Sequence, residues 1–202
     1  MPALETIHDA RPVLGHVNLM MDSFIANADI DDMRAVVRTF LATSPPSVTA
    51  AFHDAARRRL DKMNAKQLSP STQLFSKSVD GFSHPTPELA TVLRRARSLY
   101  GAGMGFASLA LLTQVVRATL GMRWQEDGDT ADILAHIDAD ITQAIQSSKE
   151  ESAGGRVTDL SGARATVSEL QNALVHTDRD AEMRGCESPF ERALVSMQYW
   201  KF

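Results

Sequence analysis

Three polar side chains interrupt the most apolar stretch of the sequence and define the first candidate site. Residues 101–122 read GAGMGFASLALLTQVVRATLGM. A helix turns by about 100° per residue, so Thr113, Gln114 and Arg117 fall on one narrow strip. Because a guanidinium matches a carboxylate or phosphate in a two-point contact, Arg117 and Gln114, with Thr113 beside them, are candidates to anchor an anionic ligand. Two alternatives stay open: a solvent edge, or an ion pair of Arg117 with an internal acid such as Asp138.

The glycines that open this stretch do not form a phosphate-binding loop. A helical pattern rather than a strand precedes them, and their G-x-G-x-G spacing lacks the second gap of the dinucleotide motif. Polar residues also interrupt the apolar run before it reaches the 18 or so residues of a membrane span. We therefore expect Gly101 and Gly103 to end one helix, and Gly105 to let the next begin against a close neighbour.

A second candidate for chemistry is a polar stripe on the helix predicted from about residue 129. Asp132, His136 and Asp140 are spaced four apart and so share one face. Two carboxylates and an imidazole there could bind a metal or orient the histidine as a base. No second helix offers a motif that would complete such a site, and a solvated face explains the acids better. The sequence thus assigns no metal ligands, no cofactor and no catalytic residue.

Basic side chains cluster in two segments, ARRRLDKMNAK at 56–66 and RRAR at 94–97. Packed side by side, these helices would make a cationic patch for phosphate groups. The net charge of −4 and the lack of a helix-turn-helix pattern argue against this reading. Nucleic acid is therefore not an expected partner, and solvated helix faces are the better explanation.

The elements that must position these residues are helical almost throughout. Apolar residues at helical spacing predict an all-α fold: one domain over 1–202, a bundle of about seven helices in which 105–122 is the central, buried element. Residues 67–86 read as a long connection with at most one short strand, and 147–162 as a flexible linker. A capping box, Ser188-Pro189-Phe190-Glu191, predicts the start of the last helix.

These features favour a binding or regulatory protein that acts through helix–helix contacts and associates with itself. Self-association is expected because a fully apolar helix and the aromatic tail QYWKF together present more apolar surface than a small monomer needs to bury. The alternative is a small-molecule-binding protein or enzyme with an apolar pocket inside the bundle, anchored by Arg117 and Gln114. Nucleic-acid binding is the third reading. The single cysteine, Cys186, and an N-terminal sequence without a leader pattern predict a cytoplasmic protein with no membrane segment.

Overall fold

The computed structural model describes residues 19–202 except positions 64, 67, 70 and 71. The predicted start of the first helix, near Pro12, lies outside these residues. The described chain is all-α, as predicted, and it also contains one small hairpin. Its eight helices are α1 Leu19–Asn27, α2 Ile30–Thr43, α3 Pro46–Lys62, α4 Pro87–Gly101, α5 Gly105–Ala118, α6 Asp129–Ala153, α7 Leu160–Met183 and α8 Glu191–Gln198.

The chain divides into two compact units. Unit 1 comprises residues 1–50 and contains α1 and α2; unit 2 comprises residues 51–202 and contains the helices from α4 onward. Helix α3 spans the division. The single domain that the sequence predicts for the whole chain stays a prediction.

Helix α5 is the centre of unit 2, and its predicted burial is confirmed. It packs against α4, α6 and α7, while α8 packs on α6 and α7. Five large apolar residues on one half of its circumference are fully buried: Leu109, Leu111, Leu112, Val115 and Val116. Three helices of the same chain cover this half, while Arg117 and Ala118 on the opposite strip are exposed. The helix ends at Ala118 rather than near residue 122, and Leu120 is 41% exposed in the turn that follows.

The glycine stretch forms a turn, and after it the backbones of α5 and α6 come into close contact. Helix α4 ends at Gly101, and Gly103 has a φ of +74°, a left-handed conformation that glycine adopts without strain. Helix α5 then begins at Gly105 directly against α6. A Cβ atom added to Gly105 would lie 2.2 Å from the backbone nitrogen of Ser148 and 2.6 Å from its Cα. The absence of a side chain therefore permits the two helix backbones to meet.

Both connections contain more regular structure than the sequence predicts. Within 67–86, strands β1 (Phe75–Lys77) and β2 (Ser83–Pro85) form an antiparallel hairpin, with Ser76 opposite His84. The flexible linker predicted at 147–162 is shorter, because α6 continues to Ala153 and Asp159 caps α7 by accepting a bond from the Gly162 N–H. Residues 147–153 have the polar composition of a linker, but two of them, Ser147 and Ser148, are buried. These serines pack against α4 and α5.

The aromatic tail folds back onto its own unit. Phe202 lies 5.0 Å from Phe106 of α5 and 5.5 Å from Trp200, centroid to centroid, and Trp200 lies 6.1 Å from Phe106. Such distances are typical of favourable aromatic pairs. Among the described residues, no helix is both long enough and apolar enough to cross a membrane.

We predict that Gly105→Ala destabilises unit 2 by about 2 kcal/mol or more, because the new methyl group would collide with backbone atoms of α6 that cannot move alone. Gly101→Ala is the matched control: its Cβ would meet nothing within 4 Å, and we expect a change within about 1 kcal/mol. Urea unfolding followed by circular dichroism measures both. Equal stabilities of the two variants would contradict the close approach.

Candidate functional site

The residues of the predicted anion site lie at a surface edge. The Thr113 hydroxyl is buried but donates to the Leu109 carbonyl oxygen at 2.8 Å, within its own helix. Gln114 is half-buried. The Arg117 side chain is 49% exposed, and its Nη2 lies 3.2 Å from Oε2 of Glu169 on α7. An exposed pair of this kind contributes little to stability. The arginine therefore points to the solvent edge, one of the two alternatives, and its ion-pair partner is Glu169 rather than Asp138.

Asp138 has a different role: its carboxylate caps α8. One oxygen accepts a bond from the Ala193 N–H at 2.8 Å, and the other accepts one from the Arg192 N–H at 3.2 Å. Burial raises the pKa of Asp138 above its ordinary value, while these two backbone donors and the nearby Arg192 partly offset the rise. The cap thus comes from another helix. The predicted capping box, Ser188 to Glu191, is therefore wrong as the source of the cap. Helix α8 begins at Glu191, and no side chain near that residue in sequence accepts a bond from the first turn.

The acidic stripe on α6 is divided between separate structural contacts. The buried Asp140 accepts two bonds from Arg97 Nε, both at 3.0 Å, and one from the Tyr100 hydroxyl at 3.1 Å. Burial, and then the charge of Asp140, raise the pKa of Tyr100. His136 is exposed, with its Nδ1 2.7 Å from the backbone oxygen of Asp132. Within the described residues no group of three or more His, Cys, Asp or Glu side chains is arranged to hold a metal ion.

Several cations of the two basic segments are paired within the chain. Arg57 contacts Asp54 and also donates to the Ala102 carbonyl oxygen at 3.1 Å. Lys66 lies 2.7 Å from Asp61, and Arg97 is bound to Asp140 as described. These pairs reduce the cationic field that a phosphate backbone would require.

Unit 2 contains an open cleft of about 780 Å³ that the sequence does not predict. It lies between the hairpin, the α5–α6 loop, the start of α6 and the α7–α8 loop. Its walls combine aromatic, cationic, acidic and sulfur groups, including Phe82, Trp124, Arg123, Arg184, Glu126, Asp127, Cys186 and Glu187. The feature of the sequence that could have indicated this cleft is the adjacent pair Arg123-Trp124. The pair closely follows Gly121, whose φ of +72° turns the chain.

The two arginines of this cleft have different environments. The guanidinium of Arg184 is engaged by its neighbours. It donates to the Met122 carbonyl oxygen and to the backbone oxygen and carboxylate of Asp180, and it lies over the Trp124 ring. Arg123 lies 5.7 Å from the centroid of the Phe82 ring and is exposed. A guanidinium placed on an aromatic face keeps its N–H donors available for an anionic group.

Unit 1 carries an apolar surface on α2, here called the α2 face: Ile30, Met33, Val36, Val37 and Phe40. These residues recur at helical spacing and so share one side of the helix. In the structure, α2 has no buried residue, and Ile30 and Phe40 are 64% and 54% exposed. Large apolar side chains grouped on one exposed helix face are typical of an interaction surface.

No family model, curated protein or solved structure matches the chain.

We predict that Asp138→Ala costs about 1–2 kcal/mol, since it leaves two backbone donors of α8 without an acceptor. Asp138→Asn should lower the free energy of unfolding by less, because its amide oxygen still accepts a bond.

A raised pKa of Asp138 means that the folded state binds the proton more tightly than the unfolded chain does. The stabilisation from this group is therefore present at low pH and is lost as the pH rises through its folded-state pKa.

The Asn variant does not titrate, so its stability relative to the wild type should increase between about pH 3 and pH 7. Urea unfolding at several pH values measures this difference. A difference independent of pH would contradict the assignment of the raised pKa to Asp138.

Proposed function

We propose that the protein is a helical binding protein that acts by packing the α2 face against a helix of a partner. The observation that carries the proposal is the exposure of this amphipathic helix: its apolar residues recur at helical spacing, and Ile30, Val36 and Phe40 are exposed while Met33 and Val37 are half-buried. Such a face binds by presenting residues at positions i, i+3, i+4 and i+7 to a partner groove or helix.

The physical gain is the apolar area removed from water when a partner covers the face. At about 25 cal/mol per Å², burial of several large side chains offsets the cost of association and favours a specific complex. In unit 2 the large side chains of α5 are buried, while Tyr199 and Phe202 of the tail are 80% and 36% exposed. The proposal rests on the α2 face because its apolar residues recur along one helix, whereas the tail lies beyond the end of α8.

To test the proposal, a photo-crosslinking amino acid is placed at Phe40 in the full chain and activated in cells that produce it. Ala42 is the matched control, two residues away on the opposite side of the same helix. We expect a defined adduct from position 40 at several-fold higher yield than from position 42. Equal yields from the two positions would contradict a binding role for the α2 face.

A stability measurement accompanies this test. Because Phe40 is more than half exposed, Phe40→Gln should change the free energy of unfolding by only about 0.5 kcal/mol. A loss of several kcal/mol, as expected for a core phenylalanine such as the fully buried Phe190, would show that the face is covered by the protein itself.

A second candidate function is the binding of a small molecule in the cleft of unit 2. The free guanidinium of Arg123 at the edge of this cleft, beside the Phe82 and Trp124 rings, favours an aromatic or apolar molecule with one anionic group. The acidic residues Glu126 and Asp127 on the same walls disfavour a polyanion such as nucleic acid. This proposal keeps the predicted ligand class but replaces Arg117 by Arg123 as the anchor.

Phenylacetate and phenethylamine, which share a ring and differ in charge, test the cleft. The two indole N–H signals in the NMR spectrum report separately on Trp124 in the cleft and on Trp200 in the tail. We expect phenylacetate to shift the Trp124 signal alone, and Arg123→Gln to abolish the shift, with a loss of about 1–3 kcal/mol in binding. Arg117→Gln is the control; if that variant abolished the shift instead, the anchor predicted from the sequence would be correct.

A further inference from the structure

The charges beside the α2 face are arranged as in a self-complementary parallel pair of helices. Helix α2 has 14 residues, which is two heptads. With Ile30 and Val37 at position a, Met33 and Phe40 occupy position d. This assignment places Asp29 and Val36 at position g and Arg34 and Leu41 at position e, directly beside the apolar seam.

In a parallel pair, each g position faces the e position of the next heptad on the other helix. Asp29 of one copy then meets Arg34 of the other, and the symmetry of the pair makes this contact twice. Val36 meets Leu41 in the same way, which extends the apolar seam. An antiparallel pair sets e against e and g against g, so that Arg34 would face Leu41 and Asp29 would have no cation opposite it.

The state of these side chains in the structure agrees with such a contact. Asp29 stands at the N-cap position but accepts no side-chain bond from the first turn of α2, so its carboxylate is not committed to its own helix. Arg34 pairs with Asp31 in an exposed i,i+3 contact, with a side-chain exposure of 57%. Exposed pairs of this kind exchange partners at little cost.

The residues of the seam also favour two strands in parallel. Both a positions, Ile30 and Val37, are β-branched, as in parallel dimers that carry leucine at d, while the d positions here carry Met33 and Phe40. Two heptads alone are short, but α1 contributes further exposed apolar side chains in the same unit, with Phe24 at 42% and Ile25 at 52% exposure.

We propose that the partner of the α2 face is a second copy of this chain, with two α2 helices packed in parallel and joined by reciprocal Asp29–Arg34 pairs. This inference rests on the proposed function, since it names the partner of that face.

A charge-exchange experiment on the full chain tests the arrangement. In its own dimer, the Asp29→Lys variant places a cation opposite Arg34 in both contacts. The Arg34→Glu variant, in its own dimer, places an anion opposite Asp29 in both contacts. Each variant alone should dimerise at least about tenfold more weakly than the wild type. When the two variants are mixed, one contact joins the two wild-type residues and the other joins the two exchanged charges. The heterodimer should therefore avoid like-charge contacts and form at near wild-type strength.

Native mass spectrometry, with one variant isotopically labelled, measures the homodimers and the heterodimer together. The exchange constant for heterodimer formation should be about 400 or more, against about 4 for random pairing. The matched control pair is Asp32→Lys with Arg38→Glu: these residues lie on the outer side of α2, and the first substitution also removes an acid from the first turn. This control pair should mix at random.

Three results would overturn the inference: a wild-type protein that stays monomeric across the concentration series, random mixing of the Asp29 and Arg34 variants, or selective pairing of the control variants. The proposed function is judged separately by the crosslinking at position 40. An adduct of twice the chain mass agrees with a second copy. An adduct of another mass would mean that the α2 face binds a different partner. That result would support the proposed function and contradict the inference of a second copy.

Discussion

The contact between α5 and α6 at Gly105 sets the geometry on which the core of unit 2 depends. Only a residue without a Cβ allows the first turn of α5 to lie against the backbone of Ser148. From that point α5 runs between α4, α6 and α7, and its large aliphatic side chains from Leu109 to Val116 are fully buried. Protein interiors are close-packed, so a displacement of this one helix would propagate to each of its neighbours.

Helix α6 is the second organising element, and its acids serve the fold. Asp138 holds the start of α8, while Asp140 binds Arg97 and Tyr100 of α4. A buried carboxylate is tolerated where donors satisfy it, and here backbone N–H groups, a guanidinium and a phenol do so. Of the two acids in the stripe that the sequence offers for metal or proton chemistry, Asp140 is therefore committed to joining α6 and α4.

The two units offer different surfaces to other molecules. In unit 2 the large side chains of α5 are buried, and the aromatic tail contacts Phe106 but keeps Tyr199 80% exposed. In unit 1 Ile30, Val36 and Phe40 of α2 are exposed, while Met33 and Val37 are half-buried. The helix–helix interaction that the sequence predicts stays a prediction, and we propose the α2 face rather than α5 as the surface that makes it.

The sequence by itself determined the helical class, the central burial of α5 and the turn role of its glycines, because helical periodicity and glycine conformations are local properties. Tertiary structure decided the rest. Arg117 reaches Glu169, and Asp138 caps α8, because those partners are far away in sequence and meet only through packing. Residues 147–153 look like a linker until packing places Ser147 and Ser148 in the interior. The cleft around Arg123 joins four separate segments, and the exposure of the α2 face depends on which elements pack against it. Neither property is encoded in any local pattern.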